Sequence, residues 1–293
     1  MSEVATSFVS RIQCELGEGP FYCQRRETLY WFDIVNRRRH AFDAASGIET
    51  DQQFPEMASA MAVVDETHDL IFTESGLWLR ELATGCWTPV CAIEPDDDAT
   101  RSNDARVHPS GAFWLGTMGK YAQAKAGAIY HFHAGALTKL YADITIPNAI
   151  CFSPDGATAY FTDTPTRQLM CVSVSPDDGL PTAEPSLHFA QTDDDIGGLD
   201  GAICDGDGNI WNARWGSGKI DRYDPSGSRI ESIDVPMRQP SCPAFVGSNA
   251  IAVTSAWEGM DGAARSADPD AGRTVLLDFQ TSTNPRFEPK VVV

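Results

Sequence analysis

The chain has 293 residues, of which 42% are hydrophobic, and a formal net charge of −19 at pH 7. This acidic balance argues against nucleic acid or an anionic membrane surface as a partner. No apolar run approaches the roughly 18 residues of a membrane span, and the first residues lack the basic start and apolar stretch of a signal peptide. We therefore expect a cytoplasmic protein. Its eight cysteines include no Cys-x-x-Cys pair, and we expect them to be reduced residues of the core.

Segments rich in short strands and tight turns follow one another along the chain at intervals of roughly 50 residues. The first runs from Leu16 to Gly47, the second covers about 57–91, the third opens at Arg101, the fourth ends at Val174, the fifth opens at Asp193, and the sixth covers about 240–279. Repeats of this length with four short strands each are typical of a β-propeller. We predict an all-β fold, namely a six-bladed β-propeller with four antiparallel strands per blade, as a single domain over 1–293.

Two segments near the ends of the chain have strand character but no hairpin partner nearby. They are residues 4–13 and residues 291–293. The two termini of a propeller often share a blade and so close the ring. We therefore predict that these two segments pair with each other.

The clearest hairpin of the sequence begins at Asn148. An apolar strand runs from there to a Ser153–Pro154–Asp155–Gly156 turn, and a second strand ends at Thr162–Asp163–Thr164. Pro154 presets φ for a turn and Gly156 tolerates φ > 0, so the turn has a physical basis. Asn148 is then a polar residue at the beginning of an apolar strand.

Polar residues occupy the corresponding place in three other repeats, so the set is Glu18, Asn103, Asn148 and Asp200. The innermost strands of a propeller run in the same direction, so these residues should meet at one mouth of the central channel. Two carboxylates packed together are unfavourable unless a cation lies between them. Oxygen donors without His or Cys favour Ca²⁺, Mg²⁺ or Mn²⁺, with Zn²⁺ as an alternative. The sequence thus predicts a metal site there.

A second acidic segment, Glu94–Asp98, has some likeness to a calcium loop. It lacks the alternating ligands, central glycine and terminal glutamate of an EF-hand. We predict that it is a solvated loop.

Six motifs in order along the chain point to a known family. They are Leu16–Gly17–Glu18–Gly19–Pro20, Arg101-x-Asn103–Asp104, Gly116–Thr117–Met118, Pro147–Asn148, Asp200–Gly201 with Trp211, and Gly259–Met260–Asp261. With these motifs the chain resembles the senescence marker protein/gluconolactonase family, which includes regucalcin. The resemblance covers nearly the whole chain. It implies a six-bladed propeller and a divalent-metal-dependent sugar lactonase, a carboxylic ester hydrolase.

The resemblance also implies roles for particular residues. The metal ligands of the family fall on Glu18, Asn148 and Asp200, and its substrate-binding residues fall on Arg101 and Asn103. Asp200 is in addition the candidate general base. We expect one divalent ion, Ca²⁺ by ligand hardness, with Zn²⁺, Mn²⁺ and Mg²⁺ as alternatives.

One position departs from the family pattern. Some members have acidic residues soon after Gly-Thr-Met that contact substrate hydroxyls, whereas this chain has Gly119–Lys120–Tyr121. Lys120 is then either a substrate-binding residue that favours an acidic sugar lactone or a solvated loop residue.

The implied reaction is hydrolysis of an aldono- or aldarolactone to the open-chain sugar acid. The metal polarises the carbonyl, and either Asp200 or a metal-bound hydroxide activates the water. Two alternatives stay open: a calcium-binding regulatory propeller without significant catalysis, and a metal-dependent hydrolase of another ester such as an organophosphate. A serine nucleophile elbow, a P-loop and a dinucleotide fingerprint are missing from the sequence. We expect a monomer or weak homo-oligomer whose partner is a small sugar lactone.

Overall fold

The computed structural model describes residues 4–192, 196–280 and 282–293. The first three residues of the predicted fifth repeat, 193–195, lie outside this range. Within the described residues, 24 strands form six antiparallel sheets of four strands each. The prediction of an all-β, six-bladed propeller with four antiparallel strands per blade is therefore confirmed. The chain divides into two compact units, and the single domain over 1–293 stays a prediction.

Unit 1 comprises Met1–Pro55 and Gln191–Phe287. Its first sheet has the order β2(Gly17–Cys23), β3(Thr28–Asp33), β4(Arg38–Asp43), β5(Glu49–Gln53). The second has the order β18(Gly198–Cys204), β19(Ile210–Trp215), β20(Lys219–Tyr223), β21(Arg229–Asp234). The third has the order β1(Ala5–Phe8), β24(Val275–Asp278), β23(Ala250–Ser255), β22(Pro240–Val246). A short helix, α1(Gly262–Ala267), and a 3₁₀ turn, Gln24–Arg26, complete this unit.

Unit 2 comprises Glu56–Ala190 and Glu288–Val293. Its sheets are β6(Ala58–Val63), β7(His68–Thr73), β8(Gly76–Glu81), β9(Trp87–Ala92); then β10(Thr100–Val107), β11(Phe113–Gly119), β12(Gly127–His133), β13(Ala136–Ile144); and then β14(Pro147–Phe152), β15(Thr158–Asp163), β16(Gln168–Ser173), β17(Ser186–Ala190). A 3₁₀ turn, Thr164–Thr166, follows β15. The predicted hairpin at Asn148 is confirmed as β14–β15, and Gly156 has a φ of +69° in its turn.

The predicted pairing of the two chain ends is wrong. The N-terminal strand β1 pairs with β24, from Ala5↔Asp278 to Phe8↔Val275. Residues 291–293 form no strand; instead, Val291 N–H donates to the Val63 carbonyl within unit 2. The apolar side chain of Val291 is only 3% exposed and packs in the core of that unit. Burial of this valine side chain, rather than pairing with a strand, thus decides where the last residues lie.

The innermost strand of every sheet is interrupted by a β-bulge. The shifts in register fall between Glu18/Phe21, Ala58/Ala60, Ser102/Ala105, Asn148/Cys151, Leu199/Ala202 and Pro240/Pro243. A bulge leaves residues unpaired and re-aims their side chains. All four polar residues predicted to meet, Glu18, Asn103, Asn148 and Asp200, lie next to or inside such a bulge. The fold therefore gives these positions a backbone geometry that a regular strand does not offer.

Apolar side chains fill the space between neighbouring sheets within each unit. One cluster of unit 2 centres on Phe72, Phe113 and Phe132, and one cluster of unit 1 centres on Trp211. All eight cysteines are free thiols. Five are buried as predicted, but the prediction is wrong for Cys86, which is exposed, and for the half-buried Cys91 and Cys171. Among the described residues, no helix has the length and apolar character needed to cross a membrane.

Candidate active site

Asn103 and Asn148 are joined by a direct hydrogen bond in unit 2. Asn103 lies in the bulge of β10, and its Nδ2 donates to Asn148 Oδ1 at 3.0 Å and to the Pro147 carbonyl at 2.9 Å. Both side chains are buried, with exposed fractions of 7% and 4%. The prediction that these two residues meet is therefore confirmed, although they are far apart in sequence.

Arg101 fixes the orientation of this pair. Its Nη1 donates to Asn103 Oδ1 at 2.8 Å and to the Ser102 carbonyl at 2.9 Å. Because a guanidinium can only donate, Asn103 must present its oxygen to Arg101 and its amide N–H groups to Asn148. At the other end, Asn148 Nδ2 donates to Thr164 Oγ1 at 3.0 Å. The result is a directed chain of hydrogen bonds in which the Asn148 oxygen has a defined position.

The backbone around Asn148 is held in an unusual conformation. Ala149, which follows it in the bulge, has a φ of +55°, in the left-handed region where alanine is disfavoured. Nearby, β11 approaches β14 so closely that a Cβ on Gly116 would lie 2.7 Å from Pro147 Cγ. This contact explains why glycine stands in the Gly116–Thr117–Met118 motif. Close packing thus fixes the position of the Asn148 bulge.

Asp104 is a second polar residue of the β10 bulge, and no role was predicted for it. It is fully enclosed, and its Oδ2 accepts a hydrogen bond from Ile150 N–H at 2.7 Å, which ties the β10 bulge to the β14 bulge. Burial raises the pKa of Asp104 to about 6, while the nearby Arg106 opposes this shift. Its place directly after Asn103 in the motif was the only sequence signal for it. Asp104 acts here as a positioning residue for the Asn148 strand.

Glu18 and Asp200 provide two buried carboxylates in unit 1, with exposed fractions of 7% and 5%. Glu18 Oε2 accepts from the N–H of Gly19, and Asp200 Oδ1 accepts from the N–H of Gly201, each at 3.0 Å. Gly19 has a φ of +53°, which matches the conformation of the residue after Asn148. The strands that carry the two carboxylates, β2 and β18, both pack against β22. Each carboxylate is thus oriented by its own bulge.

Close contact with β22 also explains the glycine after Asp200. A Cβ on Gly201 would collide with Cys242 Sγ and lie 2.9 Å from Cys242 Cα. A glycine in this position lets β18 approach β22. The Asp200–Gly201 pair of the motif therefore combines a polar side chain with the space that its strand needs.

We expect Gly201→Ala to lower the free energy of unfolding by about 1–3 kcal/mol, because the added methyl group overpacks this contact. The matched control is Gly262→Ala in α1 of the same unit, where no atom lies within 4 Å of the added Cβ. That change should be neutral or stabilising by up to about 1 kcal/mol, since alanine favours helix. Urea denaturation measures both, and equal stability of the two variants would contradict the overpacking.

The family of the chain follows from its comparison with known proteins. Residues 16–256 match the model of the SMP-30/gluconolactonase/LRE-like region. The chain belongs to this family. A protein of Rhizobium meliloti (strain 1021) with the provisional name sugar lactone lactonase is 48% identical over 283 residues, with 96% of this chain and 95% of the relative covered. The L-arabinolactonase of Azospirillum brasilense is 34% identical, with 88% of this chain and 86% of the relative covered.

A solved structure agrees with this assignment to the SMP-30/gluconolactonase family. The crystal structure of a calcium-binding protein, regucalcin, from Agrobacterium tumefaciens str. C58 is 44% identical in sequence. It superposes with a TM-score of 0.96 over 99% of this chain and 98% of that chain. The resemblance predicted from the six motifs is therefore confirmed.

The donors that this family member offers suit a hard dication. Glu18 and Asp200 supply carboxylates and Asn148 supplies an amide oxygen, and oxygen ligands of this kind fit Ca²⁺, Mg²⁺ or Mn²⁺. Among the described residues, no group of three or more His, Cys, Asp or Glu side chains gathers closely enough to hold a metal ion. The predicted set contains only two acids and lies partly in each unit. The metal site at the channel mouth thus stays a prediction.

Lys120, the remaining predicted site residue, has different partners from the Asn103–Asn148 pair. Its Nζ forms an ion pair with Glu74 Oε2 at 2.5 Å, and its backbone N–H donates to the Ala99 carbonyl at 2.8 Å. The side chain of Lys120 is 26% exposed. Lys120 is therefore a partly buried ion-pair partner rather than a solvated loop residue. Its partner Glu74 was not predicted, because no sequence motif points to it.

Proposed function

We propose that this protein is a divalent-metal-dependent sugar lactonase that hydrolyses an aldono- or aldarolactone to the open-chain sugar acid. The observation that carries the proposal is the hydrogen bond of 3.0 Å from Asn103 to Asn148. It joins a candidate substrate-binding residue to a candidate metal ligand. The lactonase names of relatives that cover most of the chain support the same activity. The proposed partner is a small sugar lactone, and a monomer or weak homo-oligomer stays a prediction.

In this proposal Glu18, Asn148 and Asp200 hold one divalent ion. Their hardness favours Ca²⁺, with Zn²⁺, Mn²⁺ and Mg²⁺ as alternatives. When bound, the ion supplies positive charge where the lactone carbonyl oxygen becomes negative. The orientation of the Asn148 amide, set by Thr164 and Asn103, keeps its oxygen available as a donor of fixed direction.

The residues of the chain would carry out the remaining chemistry. Arg101 and Asn103 bind hydroxyl groups of the lactone and so orient its ester bond. Water attacks the carbonyl carbon, Asp200 accepts its proton, and the proton then passes to the ring oxygen as the ester C–O bond breaks. The hydrogen bond from Gly201 N–H to Asp200 Oδ1 fixes the carboxylate during this transfer. A cation beside Asp200 lowers the pKa of the carboxyl, which weakens it as a base. The role of Asp200 therefore needs its own test.

A calcium-binding regulatory protein without significant catalysis is the second candidate function. It is favoured by the name of the Agrobacterium relative, a calcium-binding regucalcin that is 44% identical. A metal-dependent hydrolase of another ester, such as an organophosphate, is a third. The same oxygen donors serve all three functions, so the substrate assay must decide among them.

Metal removal tests the proposal directly. We expect a chelator to reduce the hydrolysis of sugar lactones by at least about 10²-fold, because carbonyl polarisation is worth several kcal/mol. Addition of Ca²⁺, Mg²⁺, Mn²⁺ or Zn²⁺ in turn should restore it. Acid release from a panel of aldono- and aldarolactones gives the rates, with the spontaneous rate and a phosphotriester as controls.

Three outcomes would contradict the proposal. A full rate in protein shown to be metal-free by elemental analysis excludes metal dependence. Tight Ca²⁺ binding without lactone hydrolysis favours the regulatory candidate. Phosphotriester hydrolysis that exceeds lactone hydrolysis favours the third.

A further inference from the structure

Unit 2 contains a cavity of about 410 Å³ that no role described so far uses. Its walls include Glu74, Trp78, Glu94, Asp97, Thr100 and Lys120. These residues lie near the ends of β7, β9 and β11 and the beginnings of β8 and β10. Thr100 directly precedes Arg101, and Arg101, Asn103 and Asn148 themselves do not line the cavity. The cavity is therefore adjacent in the chain to the candidate substrate-binding residues but is not lined by them.

The distance from Lys120 to the candidate substrate residues is short. Arg101 is paired with Met118 in the β10–β11 register, and Thr100 is paired with Gly119. Lys120 follows directly, so strand geometry places its backbone roughly 8 Å from that of Arg101. This separation is within about one Debye length at physiological ionic strength. A net charge at Lys120 would therefore be felt by a substrate bound at Arg101.

Glu74 cancels that charge and is itself held firmly. Its Oε1 accepts from Met57 N–H at 3.0 Å, while its Oε2 pairs with Lys120 Nζ at 2.5 Å. The side chains are only 18% and 26% exposed, so water screens this pair less than a surface pair. Both carboxylate oxygens of Glu74 are thus engaged, and Lys120 is neutralised where it lies.

The other charged residues of the wall are all acidic. Asp97, Asp98 and Glu94 also line the cavity. Glu94 was predicted to be solvated, but it is half-buried and accepts hydrogen bonds from Tyr130 OH at 2.8 Å and Thr117 Oγ1 at 3.0 Å. Tyr130 thereby has a raised pKa, because burial and the Glu94 carboxylate both disfavour the phenolate. With Lys120 already neutralised, this wall repels an anion.

We propose that Glu74 is a specificity-determining residue that makes the protein select neutral aldonolactones over anionic aldarolactones. This inference rests on the proposed lactonase function. An opposite preference, for an acidic lactone, was one of the two interpretations of Lys120 that the sequence allowed. Glu74 is the structural reason why the lysine does not act as a receptor for a substrate carboxylate.

The test compares two substrates of the same chain length, a neutral aldonolactone and the corresponding anionic aldarolactone. Glu74→Gln should raise the ratio of kcat/KM for the anionic over the neutral lactone roughly fivefold, because it leaves Lys120 with an uncompensated charge. Lys120→Gln should lower the ratio, and the double variant should return it toward that of the unchanged protein. The gain in Glu74→Gln should shrink at high ionic strength, which a purely structural effect would not do.

The control is Asp234→Asn, which breaks the exposed ion pair with Lys219 in unit 1 and changes the net charge by the same amount. Its ratio should stay within twofold of the unchanged protein. If the unchanged protein hydrolyses the lactones but Glu74→Gln has the same ratio of kcat/KM for the anionic over the neutral lactone, this inference alone is overturned. An absence of hydrolysis of both lactones with every metal would overturn the proposed function and this inference with it.

Discussion

Asp200→Asn should lower kcat for lactone hydrolysis by about 10²–10⁴-fold, the range expected for the loss of a general base. The amide keeps an oxygen that can accept from Gly201 N–H, as Asp200 Oδ1 does at 3.0 Å, so the bulge should persist. What disappears is the ability to take a proton from water. Turnover and metal affinity must be measured separately, the latter by titration of the metal-free protein.

The two roles of Asp200 predict different results at saturating metal. If Asp200 is the base, kcat stays low and the metal affinity changes little. If it is only a ligand, the metal affinity falls and saturating metal restores kcat. The control Asp234→Asn removes an exposed carboxylate of the same unit, with 86% of its side chain accessible, and should leave both quantities unchanged. An Asp200→Asn protein with full kcat and full affinity would exclude Asp200 from the site.

Asn148→Ala should weaken metal binding by about 10–100-fold and lower kcat/KM by at least as much. The change removes the candidate ligand oxygen. It also removes one of the two acceptors of Asn103 Nδ2, so the substrate-binding amide is held less firmly, by Arg101 and the Pro147 carbonyl alone. Isothermal titration with Ca²⁺ and steady-state kinetics on the preferred lactone give the two values.

The matched control is Asn148→Asp, which keeps an oxygen toward Asn103 and should retain metal binding. Its loss is confined to the N–H that donates to Thr164 Oγ1, a hydroxyl that can itself rotate to donate. Unchanged metal affinity in Asn148→Ala would contradict the ligand role. Equal loss in both variants would show that the bulge, with its left-handed Ala149, requires asparagine for structural reasons.

The parts of the fold that depend on local chemistry could be predicted from the sequence. The Ser153–Gly156 turn is one example, because Pro154 and Gly156 restrict the backbone wherever they stand. Repeat spacing likewise predicted the six sheets and the meeting of Asn103 with Asn148. The β-bulges were not predicted, since the residues inside them differ from one innermost strand to the next and share no composition signal.

Errors arose where residues distant in sequence compete for one place. The last valines resemble a strand, but burial of Val291 among the core side chains of unit 2 decides their position. Lys120 was considered as an anion-binding residue because its ion-pair partner Glu74, at 2.5 Å, lies in the hairpin of another sheet. The sequence around Lys120 therefore does not reveal that its charge is neutralised. For Val291 and Lys120 the deciding contact is therefore a tertiary one. Cys86 differs, because it is exposed in the loop directly before β9.

The pairing of β1 with β24 has a consequence for synthesis of the chain. Ala5–Phe8 leaves the ribosome well before its partner Val275–Asp278, which follows some 270 residues later in the chain. At typical elongation rates this delay is on the order of tens of seconds. All four residues of β1 stay exposed even in the complete sheet, so the strand does not need to bury apolar side chains before its partner is synthesised. Its composition suits a segment that must remain unpaired, without aggregating, until β24 has been synthesised.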